Sequence, residues 1–376
     1  MSQSSIDASQ SLIEIPKPLS QNRLMWRRFR RHRLALVSAA FLIPLYISML
    51  FVEFIAPFPL EITSSTYVYA PPQTLHFFET TSDGNIHFAP YVNGYVSVVD
   101  TQAMRRFFTI DEMQHIAVGL LVQGQPYRLL GLFETTIHLF GPLDSTQPMY
   151  LLGADRLGRD VLSRVIYGAR ISLSIGLFGV GLSLAIGIIL GGLSGYYGGW
   201  LDSLIQRTID FTRSLPVIPL WLGLAAALPI SWSPIRVYFV ISLILSLVGW
   251  TTLARVVRGR FLSLRNEDFV LAAHAMGARP GRIIFIHMLP SMYSHIIAAV
   301  TLAIPNMILA ETSLSFLGLG LRPPVVSWGV LLQDAQSLRV ISSAPWMLTP
   351  AIAIVLTVLA LNFVGDGLRD AADPHR

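Results

Sequence analysis

Few residues in this chain of 376 are of a type and spacing that could do chemistry. Asp155, Asp160 and Asp210 are the carboxylates that acid–base work would need, but each stands beside arginine in a helical or cap setting, where structural pairing is the better reading. His76, His87, His115 and His138 are scattered without metal-ligand spacing, so solvated or packed histidines are expected in place of a metal centre. No GxxxxGK[ST] phosphate loop occurs and no nucleophile stands with a base, so the chain is expected to be no enzyme, with no catalytic residue, no metal and no cofactor of its own. The chain has no cysteine, which removes disulfides and thiolate ligands as well.

What remains is a mechanical element. Asn266 to Pro290 reads NEDFVLAAHAMGARPGRIIFIHMLP, a polar, small-residue elbow between two strongly apolar stretches. Asn266 is placed to cap a helix, and Glu267 and Asp268 then face the positive end of its dipole. Gly277 fits the left-handed residue that closes such a helix, and Pro280 prevents simple continuation. Phe269, Ala272 or Ala273, and Met276 recur at helical spacing, giving an apolar, low-profile face that another backbone could approach. Leu289 and Pro290 close the segment. On these residues alone the elbow either docks a partner or joins two membrane spans.

The elements that must carry this elbow are membrane helices. The chain is 53% hydrophobic and 13% charged, with a mean hydropathy of +0.57, far from a soluble globular composition. Its net charge of +5 is carried almost wholly by arginine, Lys17 being the one lysine, which suits positive-inside topology and anionic headgroups; nucleic acid is not expected as a partner. Residues 1–33 read as a cytoplasmic tail ending in RLMWRRFRRHR, where Trp26 and Phe29 interleave the basic run. A first span over 34–56 follows, then an insertion over 57–168 expected to be β-rich and extracytoplasmic, ending in an interfacial helix. Within it, Val92-Asn93-Gly94-Tyr95 predicts a tight hairpin turn. Further spans are expected at Ile171 to Gly195, Ile209 to Leu228 with kinks near Pro216 and Pro219, Val237 to Ala254, His295 to Ser313, and Met347 to Val364, making six with both termini cytoplasmic. Glu311 is costly within a span, so it should face a cavity, a subunit interface or the far surface. With Asn306, and with Phe316 and Trp328 at the edges of the Gly- and Pro-rich loop from Leu317 to Trp328, it is the candidate for a translocation path or gate.

Three blocks carry a resemblance: GADRLGRDVLSRVIYGARISL, ETSLSFLGLGLRPPVVSWG and NFVGDGLRDAADP. They strongly resemble the C-type permease subunit of dipeptide, oligopeptide and nickel ABC importers. The elbow between them looks like that family's EAA coupling loop, with Leu271 where a glutamate usually leads, and the large insertion looks most like the microcin C and oligopeptide branch. The resemblance implies an all-α polytopic membrane protein with the six-helix type I ABC importer permease fold and a β-rich extracytoplasmic insertion, its permease core over 169–376. It implies translocation of peptides or peptide-like solutes across the bacterial cytoplasmic (inner) membrane. The implied partners are a homologous second permease subunit, one or two ABC ATPase subunits that hold ATP and magnesium, an extracytoplasmic solute-binding protein and membrane lipid. Glu267, Asp268, Phe269, Ala272, Ala273, Met276, Gly277, Leu289 and Pro290 would couple to the ATPase. Nickel chelates or oligosaccharides are the alternative solutes. An ion-coupled secondary carrier is the competing class, which would need intramembrane ionisable groups or paired broken helices where this chain offers only Glu311 and the proline-interrupted fifth span; a membrane-bound enzyme is a third, with the histidines of the insertion as its only candidates.

Overall fold

The structure is a computed structural model that describes residues 21–80, 85–100 and 105–372, so the expected tail over 1–20 and the last residues of the third block lie outside the described residues. From the N-terminal side the chain forms α1 (Gln21–Phe29), α2 (Arg33–Ser48) and α3 (Val52–Ile55), then strands β1 (Leu75–Thr80), β2 (Ile86–Asp100), β3 (Arg105–Leu129) and β4 (Phe133–Pro142). Helices α4 (Val161–Tyr197), α5 (Gly199–Ser214), α6 (Val217–Ala226), α7 (Pro234–Leu264) and α8 (Asp268–Ala275) follow. Short helical turns α9 (Pro280–Arg282) and α10 (Leu289–Ser291) flank a π-helical stretch, Ile283–Met288, before α11 (Tyr293–Phe316), α12 (Trp328–Asp334), α13 (Leu338–Ser343) and α14 (Thr349–Ala372).

Among the described residues four helical segments are long and apolar enough to cross a membrane: α4, α7, α11 and Pro345–Ala372, which contains α14. The expected first and third spans take shorter forms. Helix α2 has 16 residues with Pro44 inside it, and α6 has 10. The third is interrupted at Leu215-Pro216, where a proline with fixed φ and no N–H ends the ladder of α5. A 10-residue helix rises only about 15 Å, half of a ~30 Å hydrocarbon layer, so α6 does not cross one alone. The expected interfacial helix and second span are one continuous helix of 37 residues, roughly 55 Å long, whose first turns therefore extend past the apolar layer.

Small residues set how these helices meet. Gly187, Gly191 and Gly195 repeat every fourth residue along α4 and lie against α7; a Cβ at Gly191 would stand 2.4 Å from the Ala254 carbonyl oxygen. With lipid on the outside, such close backbone contact and dispersion hold the pair, since apolar burial against another helix gains little over burial against tails. Nearer its start α4 meets α11, Gly176 lying against Ile304 and Ile308, and Leu173, Val180, Leu245, Ile308, Leu314 and Leu361 join α4, α7, α11 and α14 in one core. Helix α2 packs along α14, where Ala35 faces Gly367, and adds Leu42 to the same core.

The insertion is a four-stranded antiparallel meander in the order β1-β2-β3-β4. Its Asn-Gly pair is not the expected turn. Asn93 and Gly94 lie inside β2, at a register shift where Asn93 pairs with His115 and Gly94 with Asp111, and the missing Cβ of Gly94 leaves room for the Gln114 side chain of the bulge. A turn built on positive φ does occur between β3 and β4, at Leu130 and Gly131, with φ of 52° and 72°. His138 is fully buried, with its ring nitrogens 2.7 Å and 3.0 Å from the carbonyls of Ala56 and Gln125, while His76 and His115 stack on Tyr91.

Candidate functional site

The elbow is built as a capped helix seated on the ends of two long ones. Asn266 does not supply the cap; Glu267 occupies that position in extended conformation without a side-chain cap bond, and Asp268 sits in the first turn. The far end follows the expected chemistry. Gly277 has φ +78°, its N–H donates to the His274 carbonyl at 2.9 Å, and the Ala278 N–H donates to the Ala273 carbonyl at 3.1 Å, the paired bonds of a Schellman closure. Beyond Pro280 the chain widens into the π stretch, where Pro290, lacking an N–H, cannot return the bond an α-helix would place on Ile286.

Two faces of α8 have different fates. Val270 and Ala273 are buried against Val257 and Phe261 of α7, Ile283, Ile284 and Met288 of the π stretch, and Ile296 of α11. Leu289 packs at the edge of the same cluster and Pro290 is exposed. Phe269, Ala272 and Met276 stay in the open, Met276 at 81% exposure, and Leu271 beside them is also uncovered. Ala273 therefore belongs to the seat and Ala272 to the free patch. Nearby, α5 is clamped to the ends of α4 and α7. Arg258 donates to both oxygens of Asp202 at 2.6 Å, Ser194 donates a third bond at 2.5 Å, and these donors hold the Asp202 carboxyl below its usual range.

Asn306 opens on a cleft of about 520 Å³ between α4, α6, α7 and α11, whose wall includes Trp221, Thr251, Thr252 and Met307. Arg213 stands at its rim and donates to Thr252 at 3.2 Å. Sequence reading missed Trp221 and the threonines; nothing in the spacing of α6 and α7 announces which face they turn inward.

Glu311 does not face a cavity, a surface or solvent. It is fully buried, and it accepts hydroxyl bonds from Ser315 and Ser327 at 2.8 Å and from Ser172 at 3.3 Å. Each hydroxyl in turn accepts a backbone N–H, from Leu321, Val330 and Trp328 respectively, so one carboxyl ties α11, α4 and the start of α12 together with the loop between. Trp328 is part of this knot, 1% exposed with its Nε1 donating to the Val165 carbonyl at 3.0 Å. Phe316 is 38% exposed at the end of α11 and its carbonyl accepts from Gln336. The expected path set thus separates: Asn306 lines the cleft, whereas Glu311 and Trp328 belong to a buried hydrogen-bond network outside its lining.

Comparison with known proteins places this architecture. The family described as "Binding-protein-dependent transport system inner membrane component" matches residues 185–376, and the "N-terminal TM domain of oligopeptide transport permease C" matches residues 20–72. A putative peptide permease protein of Brucella ovis is 43% identical over 225 residues, 59% of this chain and 72% of that one. The dipeptide transport system permease protein DppC of Alkalihalophilus pseudofirmus is 42% identical over 223 residues, 59% of this chain and 71% of its own. The oligopeptide transport system permease protein OppC of Bacillus subtilis is 40% identical over 223 residues, 59% and 70%. The chain belongs to the family of inner membrane components of binding-protein-dependent transport systems.

Proposed function

We propose that this chain is a permease subunit of an ATP-binding cassette importer for peptides, paired with a homologous second permease and built on the type I importer fold. The observation that carries the coupling role is the free face of α8. Its inner face is already used by Val270 and Ala273, yet Phe269, Leu271 and Met276 remain uncovered at the end of a closed, rigid helix. Such a patch gains from entering a groove on an ATPase, and its seat on α7 and α11 passes any push to both helices as rigid-body motion. Arg255, Arg260, Arg265, Arg279 and Arg282 gather at this end of the bundle, which supports a cytoplasmic elbow and an extracytoplasmic sheet.

Peptides are the solute class that the relatives' names support. The cleft beside Asn306 agrees with delivery from elsewhere. Its walls are mostly apolar with few placed donors, so it suits weak passage more than selection, which falls to a separate solute-binding protein. The secondary-carrier reading loses its main residue, because Glu311 has three hydroxyl donors and no aqueous route. The test is uptake of a labelled oligopeptide into vesicles holding the assembled transporter: uptake should require ATP and the binding protein, and selective uptake at full rate without the binding protein would overturn this account.

A further inference from the structure

Asp160 differs from the ion-paired carboxylates of this chain. Asp155 is met by Arg159 and Arg164, Asp202 by Arg258, Asp210 by Arg255 and Glu53 by Arg170, whereas Asp160, only 5% exposed, forms no ion pair among the described residues. The expectation that it is paired with arginine is therefore wrong. As the cap of α4 its Oδ2 accepts from the Ser163 N–H at 2.7 Å and the Ser163 hydroxyl at 2.6 Å, while Oδ1 accepts no hydrogen bond. Asp160 also lines a cavity of about 270 Å³ on the sheet side of the bundle, together with Phe58, Ser64, Tyr67, Gln147 and Tyr150. The Tyr67 and Tyr150 rings meet edge to face at 5.9 Å and Phe58 lies 6.5 Å from Tyr150, so aromatic walls converge beside a carboxylate.

Burial pushes the Asp160 carboxyl up to about 6, which leaves it mostly ionised at neutral pH. The Ser163 and Leu162 donors at the start of α4 ease that charge, but no positive group among the described residues faces it. Tyr67, Tyr95 and Tyr150 present phenols, those of Tyr95 and Tyr150 raised further by burial, Asp155 adds a second negative charge, and Arg164 one turn along α4 is engaged by Asp155 and Asp334. An unpaired buried carboxylate is costly, and aromatic faces attract cations, so both features favour a positive guest. Asp160 is the one carboxylate in the lining, and with aromatic rings, the hydroxyls of Thr63, Ser64, Ser145 and Thr146 and the amides of Gln125 and Gln147 around it the cavity suits the N–H donors of a singly charged ammonium. The space is several times the ~30 Å³ of a water and admits an ammonium with a residue-sized group attached.

We propose that this cavity binds the ammonium group of a small amine, the free amino terminus of a peptide being one source. The ammonium site stands on the cavity alone; the peptide source rests on the proposed function. The test uses the full chain in nanodiscs, titrated calorimetrically with ethylammonium, dialanine and N-acetyl-dialanine. Ethylammonium and dialanine should bind at pH 7.5 and the acetylated peptide should not, and affinity should fall about tenfold by pH 5 as the carboxylate takes a proton. Asp160→Asn, which keeps a capping oxygen, should lose at least about tenfold in affinity with unfolding temperature little changed. Tyr67→Leu, which leaves cap and carboxylate in place, should lose severalfold. Ethylammonium binding without dialanine binding would reject the peptide terminus as the source and keep the site. Failure of ethylammonium to bind, or undiminished binding by Asp160→Asn and Tyr67→Leu, would overturn the site. Peptide uptake by the assembled transporter is read separately, so failure of the site and failure of the permease reading are told apart.

Discussion

Helix α11 is held at its two ends in opposite ways. At the sheet end Glu311 is sealed from solvent and saturated by three serines, with every hydroxyl also engaged by a backbone N–H. At the elbow end α8 rests on an apolar seat and turns a second apolar face outward that none of the described residues covers. A buried polar group whose partners are complete is a fastening, because any motion would leave several groups unsatisfied at once. An uncovered apolar face on a rigid element is a place for something else. One helix thus links a fixed point to a handle, and the cleft lined by Asn306 lies between them.

The difference can be broken at the fixed point first, where the effect on the fold is largest. Glu311→Ala removes the common acceptor of three buried hydroxyls and should lower stability by roughly 2–4 kcal/mol, read as a fall in unfolding temperature in detergent. Glu311→Gln keeps one acceptor oxygen and should lose about half as much. Equal stability of wild type and Glu311→Ala would contradict the fastening. At the handle, Gly277→Leu meets no atom within 4 Å but must adopt φ +78°, at a cost of roughly 1–2 kcal/mol borne by the end of α8 alone. The subunit should stay in the membrane while ATP-driven uptake falls, and unchanged uptake would count against a role for the closure.

A smaller effect is expected at the clamp behind the elbow. Arg258→Ala should destabilise by about 1 kcal/mol at neutral pH, since the pair is partly exposed and screened. Asp202 has a depressed carboxyl pKa in the folded chain, so its contribution is present above the unfolded carboxylate value of about 3.9 and is lost as pH falls through the lower folded value. Wild type and Arg258→Ala should therefore converge in acid, and a gap that persists or widens there would sink the assignment.

The handle was legible and the fixed point was not, for physical reasons. Gly277 and Pro280 act locally, so the end of α8 follows from their own backbone chemistry, and the spacing of Phe269, Ala272 and Met276 marks the free face. Glu311 depends on Ser172, 139 residues away, and Ser327, 16 away, and no local pattern shows that three hydroxyls will converge on a charge. Asn93-Gly94 was misread because a bulge and a hairpin turn ask for the same residue types. The third span breaks at Leu215-Pro216, where the proline marked a kink, but its apolar run hides how short α6 is. Asp160 was grouped with the paired aspartates because its neighbour Arg159 turns to Asp155 instead.

The central claim is that the exposed face of α8 is where an ATPase docks, and the double substitution Phe269→Asp with Met276→Asp tests it most directly. Both side chains are exposed, so the isolated chain should unfold within about 0.5 kcal/mol of wild type. The ATPase subunits should no longer co-purify with the variant, and peptide uptake should be abolished. Full retention of the ATPase together with uptake at the wild-type rate would contradict it.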